Sequence, residues 1–215
     1  MFQPPFWGAA YLAARVAEVD LVILSGTDQY TAKSPNVDGG WQYTGQTHTM
    51  LKDGVWNLPV GASMLPIDST PLAINDFWIT KSMKRLRHLY SKSMGDLILG
   101  EVEDNLGLGR DLHLGDFNSG LFRWSMGALG IKTPLIRDYE VAQRGTDASD
   151  TALQLAIAVG ATEYVSGGGG MTYLDMDAWA DAGVKVTRQN WTPPPGIEGG
   201  ASLLHLIGAG LVGHP

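Results

Sequence analysis

The sequence predicts an α/β fold: a single three-layer domain with a largely parallel sheet flanked by helices. Three observations carry that expectation. Residues 21–24, Leu-Val-Ile-Leu, form a short apolar run, the pattern of a strand buried on both faces. Residues 74–94 place Ile79, Met83, Leu86, Tyr90 and Met94 at helical spacing. Residues 163–191 read as strand, glycine loop, helix and strand, the order of a parallel crossover unit.

Taken in order, residues 7–19 are alanine-rich and predict a first helix. After the strand at 21–24, Ser25, Gly26, Thr27 and Asp28 turn the chain where α/β sheets usually present ligand-facing loops. Residues 31–54, polar and rich in Gly, Thr and Asn, predict a long loop or irregular hairpin, and 56–60 a short strand. The long helix over 74–94 is followed by helices at 97–106 and 117–129, joined by a glycine-rich link at 107–115. Residues 131–136 predict an edge strand or strand end, because Pro134 cannot donate to a ladder. A helix at 151–159 stops at Gly160, and 163–166 is a strand. Asp175 caps a helix to 182, 184–191 alternates as a strand, 192–200 is a loop, and 202–211 closes as a helix. No internal repeat or boundary divides the 215 residues, so one domain over 1–215 is expected.

Composition narrows the function classes. The chain is 44% hydrophobic with 7 Trp and 7 Tyr, enough for a sizeable core. Its net charge of −7 argues against loose, charge-driven binding to nucleic acid, although a local basic groove stays open. With 0 cysteines, disulfide and thiolate chemistry are excluded. Residues 1–11 lack a signal-peptide pattern, and no apolar run reaches the roughly 18 residues of a membrane span. A cytoplasmic protein with no membrane partner is expected.

The strongest chemical signal is Ser166 with Gly167, Gly168, Gly169 and Gly170. Successive glycines offer backbone N–H groups to an anion, and the helix that follows adds its dipole. The bland alternative is a tight turn between strand and helix. Neither GxGxxG nor a Walker-type lysine accompanies the glycines, and no motif calls for a cofactor. Gln3, Asp28, Gln29 and Tyr30 form a second candidate group: Asp28 as general base, Gln29 and Tyr30 orienting a polar substrate. Turn capping and packing would explain the same residues.

Lys81, Lys84, Arg85, His88 and Lys92 form a basic stripe on the long helix, suited to phosphate or a nucleic-acid backbone, or simply solvated. Asp111, His113 and Asp116 lack a recognised ligand spacing, so no metal is expected. Trp41 could stack on a ring, and His48, His205 and His214 suggest no role. No GxSxG elbow is present.

Gly160-Ala161-Thr162-Glu163-Tyr164-Val165-Ser166-Gly167, then Gly169-Gly170 and Tyr173-Leu174-Asp175, resemble the hallmark segment of the WbqC-like family, LGA-x-x-Y-x-SG-x-GG-x-x-YLD. Ala182 to Val186 and Gln189 continue the pattern. Asn118, Arg123-Trp124 and the run from Leu129 to Pro134 resemble the family's middle segment, and Trp78 and Tyr90 its long helix. Gln3-Pro4 and Gln29-Tyr30 resemble its HQPN and DDVQY elements. The chain departs from the family at Phe2, Pro5, Gly26, Thr27, Ser82 and His205, where His, Asn, two acids, His and an acid are common.

The resemblance implies a group transferase of the acyl, aminoacyl or glycosyl type. Its acceptor would be polar and nucleotide- or phosphate-linked, such as an amino sugar for a bacterial surface polysaccharide. Asn118, Tyr173 and Asp175 join the substrate-binding candidates on that ground. A nucleic-acid-modifying enzyme using the basic helix and a catalytically silent binding module are the alternatives.

Overall fold

A computed structural model describes residues 1–35, 41–43, 45–61, 64–107, 112–141, 144–197 and 201–210; for 33–35, 41–43, 106 and 107 it describes the backbone alone. The α/β class holds. β1 (Val22–Leu24) is wholly buried, as its apolar run demands, and pairs in parallel with β6 (Leu135–Arg137). On its other edge Phe2 bridges Leu24, also in parallel, so the first residues run along the sheet before α1 (Tyr11–Ala17) leaves it. The expected crossover is present: β7 (Glu163–Ser166) pairs in parallel with β8 (Lys185–Arg188), with α6 (Met176–Asp181) between them. Among the described residues the parallel strands form these two separate ladders.

Local chemistry sets the boundaries of the crossover unit. α5 (Ala148–Ala158) starts at Asp147, whose side chain accepts from Asp150 N, and ends where Gly160 takes φ +67. Asp175 caps α6 by accepting from Ala178 N, and Gly183 at φ +71 ends it.

One sequence expectation needs correction. The single helix over 74–94 is two: α2 (Asp76–Leu89) stops at Tyr90, which is extended at φ −119, ψ 163, and α3 (Lys92–Gly107) begins after it. The break follows from Ser91, whose Oγ accepts from Met94 N at 3.4 Å, and from Gly95. A Cβ on Gly95 would come within 3.3 Å of the Arg87 Cα, so the second helix folds back closely on the first. Of the two alternatives for the polar stretch at 31–54, the described residues follow the hairpin one, with antiparallel ladders of β2 (Lys33–Pro35) with β3 (Trp41–Tyr43) and β4 (His48–Leu51) with β5 (Gly54–Asn57). The Trp41 side chain and His214 lie outside what is described.

α4 (Leu114–Ala128) is buried over most of its surface because it packs on two sides, leaving a stripe at Asp116, Arg123 and Gly127 exposed. Leu114, Phe117 and Leu121 join a core with Phe6, Trp7, Trp56, Leu86 and Ile98. Phe122 and Met126 join another with Val16, Leu24, Leu203 and Ile207, the last two from α7 (Leu203–Gly208). Each large side chain buried there stabilises by about 1.5–3 kcal/mol. A third cluster holds α5, α6 and β8 together around Trp179.

Tyr90 pairs badly with its surroundings. Its ring is 7% exposed and packs under Gly208, while its hydroxyl has no hydrogen-bond partner among the described residues. Burial pushes the phenol from 10.0 up to about 12. Between those values the unfolded chain has released the proton and the fold still keeps it. Stability present below pH 10 is therefore lost as pH rises through that window. Tyr90→Phe is expected to melt at or above the parent temperature and to flatten this alkaline limb. Chemical denaturation at pH 8 and pH 11 checks both, and a Tyr90→Phe protein destabilised at pH 8 would refute the account.

Candidate functional site

The N-terminal segment, the turn after β1 and the loop after β7 meet around a cavity of about 810 Å3, within the range of small-molecule sites. The parallel pairing of Ser166 with Arg188 puts the loop of residues 167–170 at the carboxyl end of its ladder. Gln3, Asp28, Ser166, Gly167, Gly168, Gly169, Gly170 and Tyr173 all line this cavity, although far apart in sequence.

Asp28 is held at several points. Its Oδ2 accepts from Gln3 Nε2 at 3.2 Å, its Oδ1 pairs with Arg144 Nη2 at 2.5 Å, and its carbonyl accepts from Ile67 N at 2.9 Å. Gln3 Oε1 in turn accepts from Gln46 Nε2. Ser166 is buried with its Oγ donating to Gly167 O, and a side chain on Gly170 would overlap that hydroxyl. The loop therefore cannot carry a larger residue at 170 without moving Ser166.

Burial, then the Asp28 charge, raises the Tyr173 pKa; burial, then Tyr173, raises that of Tyr164, another cavity residue. Both phenols stay protonated and can donate to a ligand.

The remaining candidates lie outside the lining. Tyr30 is 2% exposed, its hydroxyl 3.1 Å from Thr47 Oγ1 within the core. Gln29 points to solvent and donates to Met64 O at 2.8 Å. Asn118 is fully buried and donates to Pro4 O at 3.0 Å and Gln46 O at 2.7 Å, fixing two segments that form the cavity wall. Asp175 is the α6 cap, and its own N–H donates to Ser149 Oγ at 2.8 Å.

On α2, Lys81 and His88 are exposed and do not line the cavity. Arg85 spends its guanidinium on Asp53, at 2.9 and 3.0 Å from Nε, and on the carbonyls of Val55 and Gly54. It clamps the β4–β5 turn to the helix. Asp116 is engaged by Arg137 Nη1 at 3.2 Å, and Asp111 lies outside the described residues.

Sequence reasoning assigned no role to Arg15, Tyr11 and Trp191, which also line the cavity, nor to Gln189, which it placed only within a pattern. The available signal was that Arg15 is the lone charged residue between Trp7 and Ala17. A buried charged network also escaped notice. Arg137 and Asp138, 4% and 3% exposed, stand at the end of β6, with Asp68 ion-paired to Arg137.

The family model of the WbqC-like proteins matches residues 3–196. The chain belongs to the WbqC-like protein family. No curated protein and no solved structure matches it.

Several departures of this WbqC-like chain from the pattern have a structural reading. A side chain at Gly26 would overlap the Asp68 carboxylate, so an acid contributed by a distant segment fills the space that position leaves. Phe2 packs edge-on against Phe122, with centroids 5.3 Å apart. His205 receives the Ser202 N–H on Nδ1 at 3.2 Å, closing the first turn of α7, a task an acid at that position can also perform. Ser82 is buried and accepts from Trp56 Nε1 at 3.0 Å.

Among the described residues no helix is long and apolar enough to cross a membrane.

Proposed function

We propose that this WbqC-like protein is a group transferase of the acyl, aminoacyl or glycosyl type. Its acceptor is polar and nucleotide- or phosphate-linked, with an amino sugar as the example. The observation that carries the reading is the convergence of Asp28, Gln3, Tyr173 and the residue 166–170 loop on one cavity. A carboxylate, neutral phenols and the backbone of the glycine loop share that cavity, while the Gly170 amide is spent within the loop on Gly167 O at 3.1 Å.

In this reading the Asp28 carboxylate takes the proton from the acceptor's amine or hydroxyl as its lone pair attacks the donor carbon. The bond from that carbon to the leaving group breaks, and the electron pair departs with the leaving group. Gln3 orients Asp28, Tyr173 donates to a polar group of the substrate, and residues 166–170 cradle the anionic part. Gln29, Tyr30, Asn118 and Asp175 act from outside the cavity by holding its walls and loops in place.

A ligand screen by thermal shift, against nucleotide sugars, nucleotides, amino acids and short DNA, tests the class. At a hundred times its Kd a ligand adds about 2.7 kcal/mol of stability, an easily read shift. A shift with a nucleotide sugar or nucleotide, abolished in Gly168→Val, is the expected result. A shift with DNA alone, lost on charge reversal at Lys81 and Lys84, would replace this reading with a nucleic-acid-modifying one. Tight binding with no turnover for any donor would make the chain a binding module.

A further inference from the structure

Arg15 is the only Lys or Arg among the described residues that line the cavity. It lies half-buried on α1, and no carboxylate of the described residues comes within 4.0 Å of it. Burial pulls its pKa below the usual guanidinium value, while Tyr11, Tyr164, Glu18 and Tyr173 pull the other way. It remains a cation, since guanidinium does not deprotonate in proteins. A desolvated cation without a close counter-ion is costly, and the cost falls when an oxyanion reaches it.

Its geometry is prepared for that arrival. Nε donates to Gln189 Oε1 at 2.8 Å, and Gln189 Nε2 donates to Tyr11 O at 2.9 Å. The second bond decides which end of the Gln189 amide faces Arg15. With Nε anchored, the guanidinium plane is held and the Nη groups face the glycine loop: a Cβ on Gly167 would stand 2.5 Å from Nη2. Gly167 is therefore the residue that lets Arg15 come this close. On the same loop, Arg188 Nη2 lies 3.5 Å from where a Gly168 Cβ would be. Behind the guanidinium, Tyr11 stacks at 5.5 Å from Cζ and meets Trp191 with centroids 6.2 Å apart.

We infer that Arg15, oriented by Gln189 and admitted by Gly167, captures a phosphate or carboxylate of the substrate against the amides of residues 167–169; the Gly170 amide is already held by Gly167 O at 3.1 Å. The inference rests on the transferase reading above and deepens it. It moves recognition of the anion from the basic stripe of α2 to a single arginine of α1, and makes Gln189 a positioning residue.

The test is calorimetric titration of the full chain with inorganic pyrophosphate, UDP and glycine, repeated for each variant. Pyrophosphate and UDP report phosphate recognition, and glycine reports carboxylate recognition. Binding of at least one probe by the parent is expected, weakened about ten- to a hundredfold by Arg15→Gln, as for a lost charge-assisted pair. Arg15→Lys is expected to recover part of the loss, since it restores charge without the planar fork.

Gly167→Ala keeps the charge but displaces the guanidinium, so it should also weaken binding while melting near the parent. It guards against a folding defect in Arg15→Gln. Gln189→Leu should fall between these variants, and Lys84→Glu should bind like the parent. If the parent binds a probe and both Arg15→Gln and Gly167→Ala bind it equally well, the assignment of Arg15 fails and the transferase reading stands. If the parent binds none of the three probes, anion binding in the cavity is itself refuted and both readings fall.

Discussion

Asp138→Ala is expected to lower stability by about 3–5 kcal/mol, since it removes a buried acceptor shared by several donors and each donor left unsatisfied costs about 1–3 kcal/mol. Asp138 is 3% exposed and receives a cluster of donors: Ser25 Oγ at 2.9 Å, Gly26 N at 3.3 Å, Thr27 N at 3.2 Å, Thr27 Oγ1 at 2.5 Å and Tyr139 N at 3.0 Å. Alanine leaves three backbone N–H groups without this acceptor in a place water reaches poorly. Beside it Arg137 holds Asp68, and Asp68 N donates to Gly26 O at 2.9 Å, so the two acids grip one turn from both sides.

That turn leads straight into Asp28. For a chain of this size each kcal/mol moves the melting temperature by about 2–4 °C, so a fall on the order of 10 °C is expected. Asp138→Asn, which keeps one acceptor oxygen, should lose less. Thermal and urea melts that place Asp138→Ala within about 1 kcal/mol of the parent would show that the turn is held by something else.

Asp28→Asn carries the largest expected effect on activity. A positioned general base contributes about a hundred- to ten-thousandfold, so kcat should fall by that range with KM changed little. Its backbone is anchored independently of its carboxylate, through the Ile67 N bond, so melting should stay near the parent value. The readout separates chemistry from fold: turnover collapses while the probe-binding isotherm and the melting curve persist. Undiminished turnover in Asp28→Ala would remove the base from the mechanism. Arg144→Gln gives a second handle on the same carboxylate, because the Arg144 pair is half-exposed and adds little to stability.

Position 85 illustrates why the site was only partly legible. Arg85 on a basic stripe reads locally as available charge, yet its partner Asp53 is 32 residues away and the pair serves to fasten a hairpin. Tyr30 and Asn118 read as polar groups near a candidate site, but both point into packed interior. Arg15 shows the opposite error: on an alanine-rich helix it looks like a surface charge, and only the Gln189 contact, 174 residues away, turns it into the cavity.

By contrast, the strand at Glu163–Ser166 and the Asp175 cap were both readable, and so was the end of α5 at Gly160. The apolar period, the capping carboxylate and the left-handed glycine each act over a few residues, and the chain carries them in plain order. By itself the sequence determined the α/β class, the parallel crossover around residues 163–188, the family and the glycine loop. Tertiary structure alone decided the burial of Arg137 and Asp138, and the meeting of Asp28, Gln3 and Arg15 with that loop. Those features depend on pairings between distant segments, whose energies come from desolvation and charge balance in the folded interior, and no local pattern encodes which partner a side chain will meet.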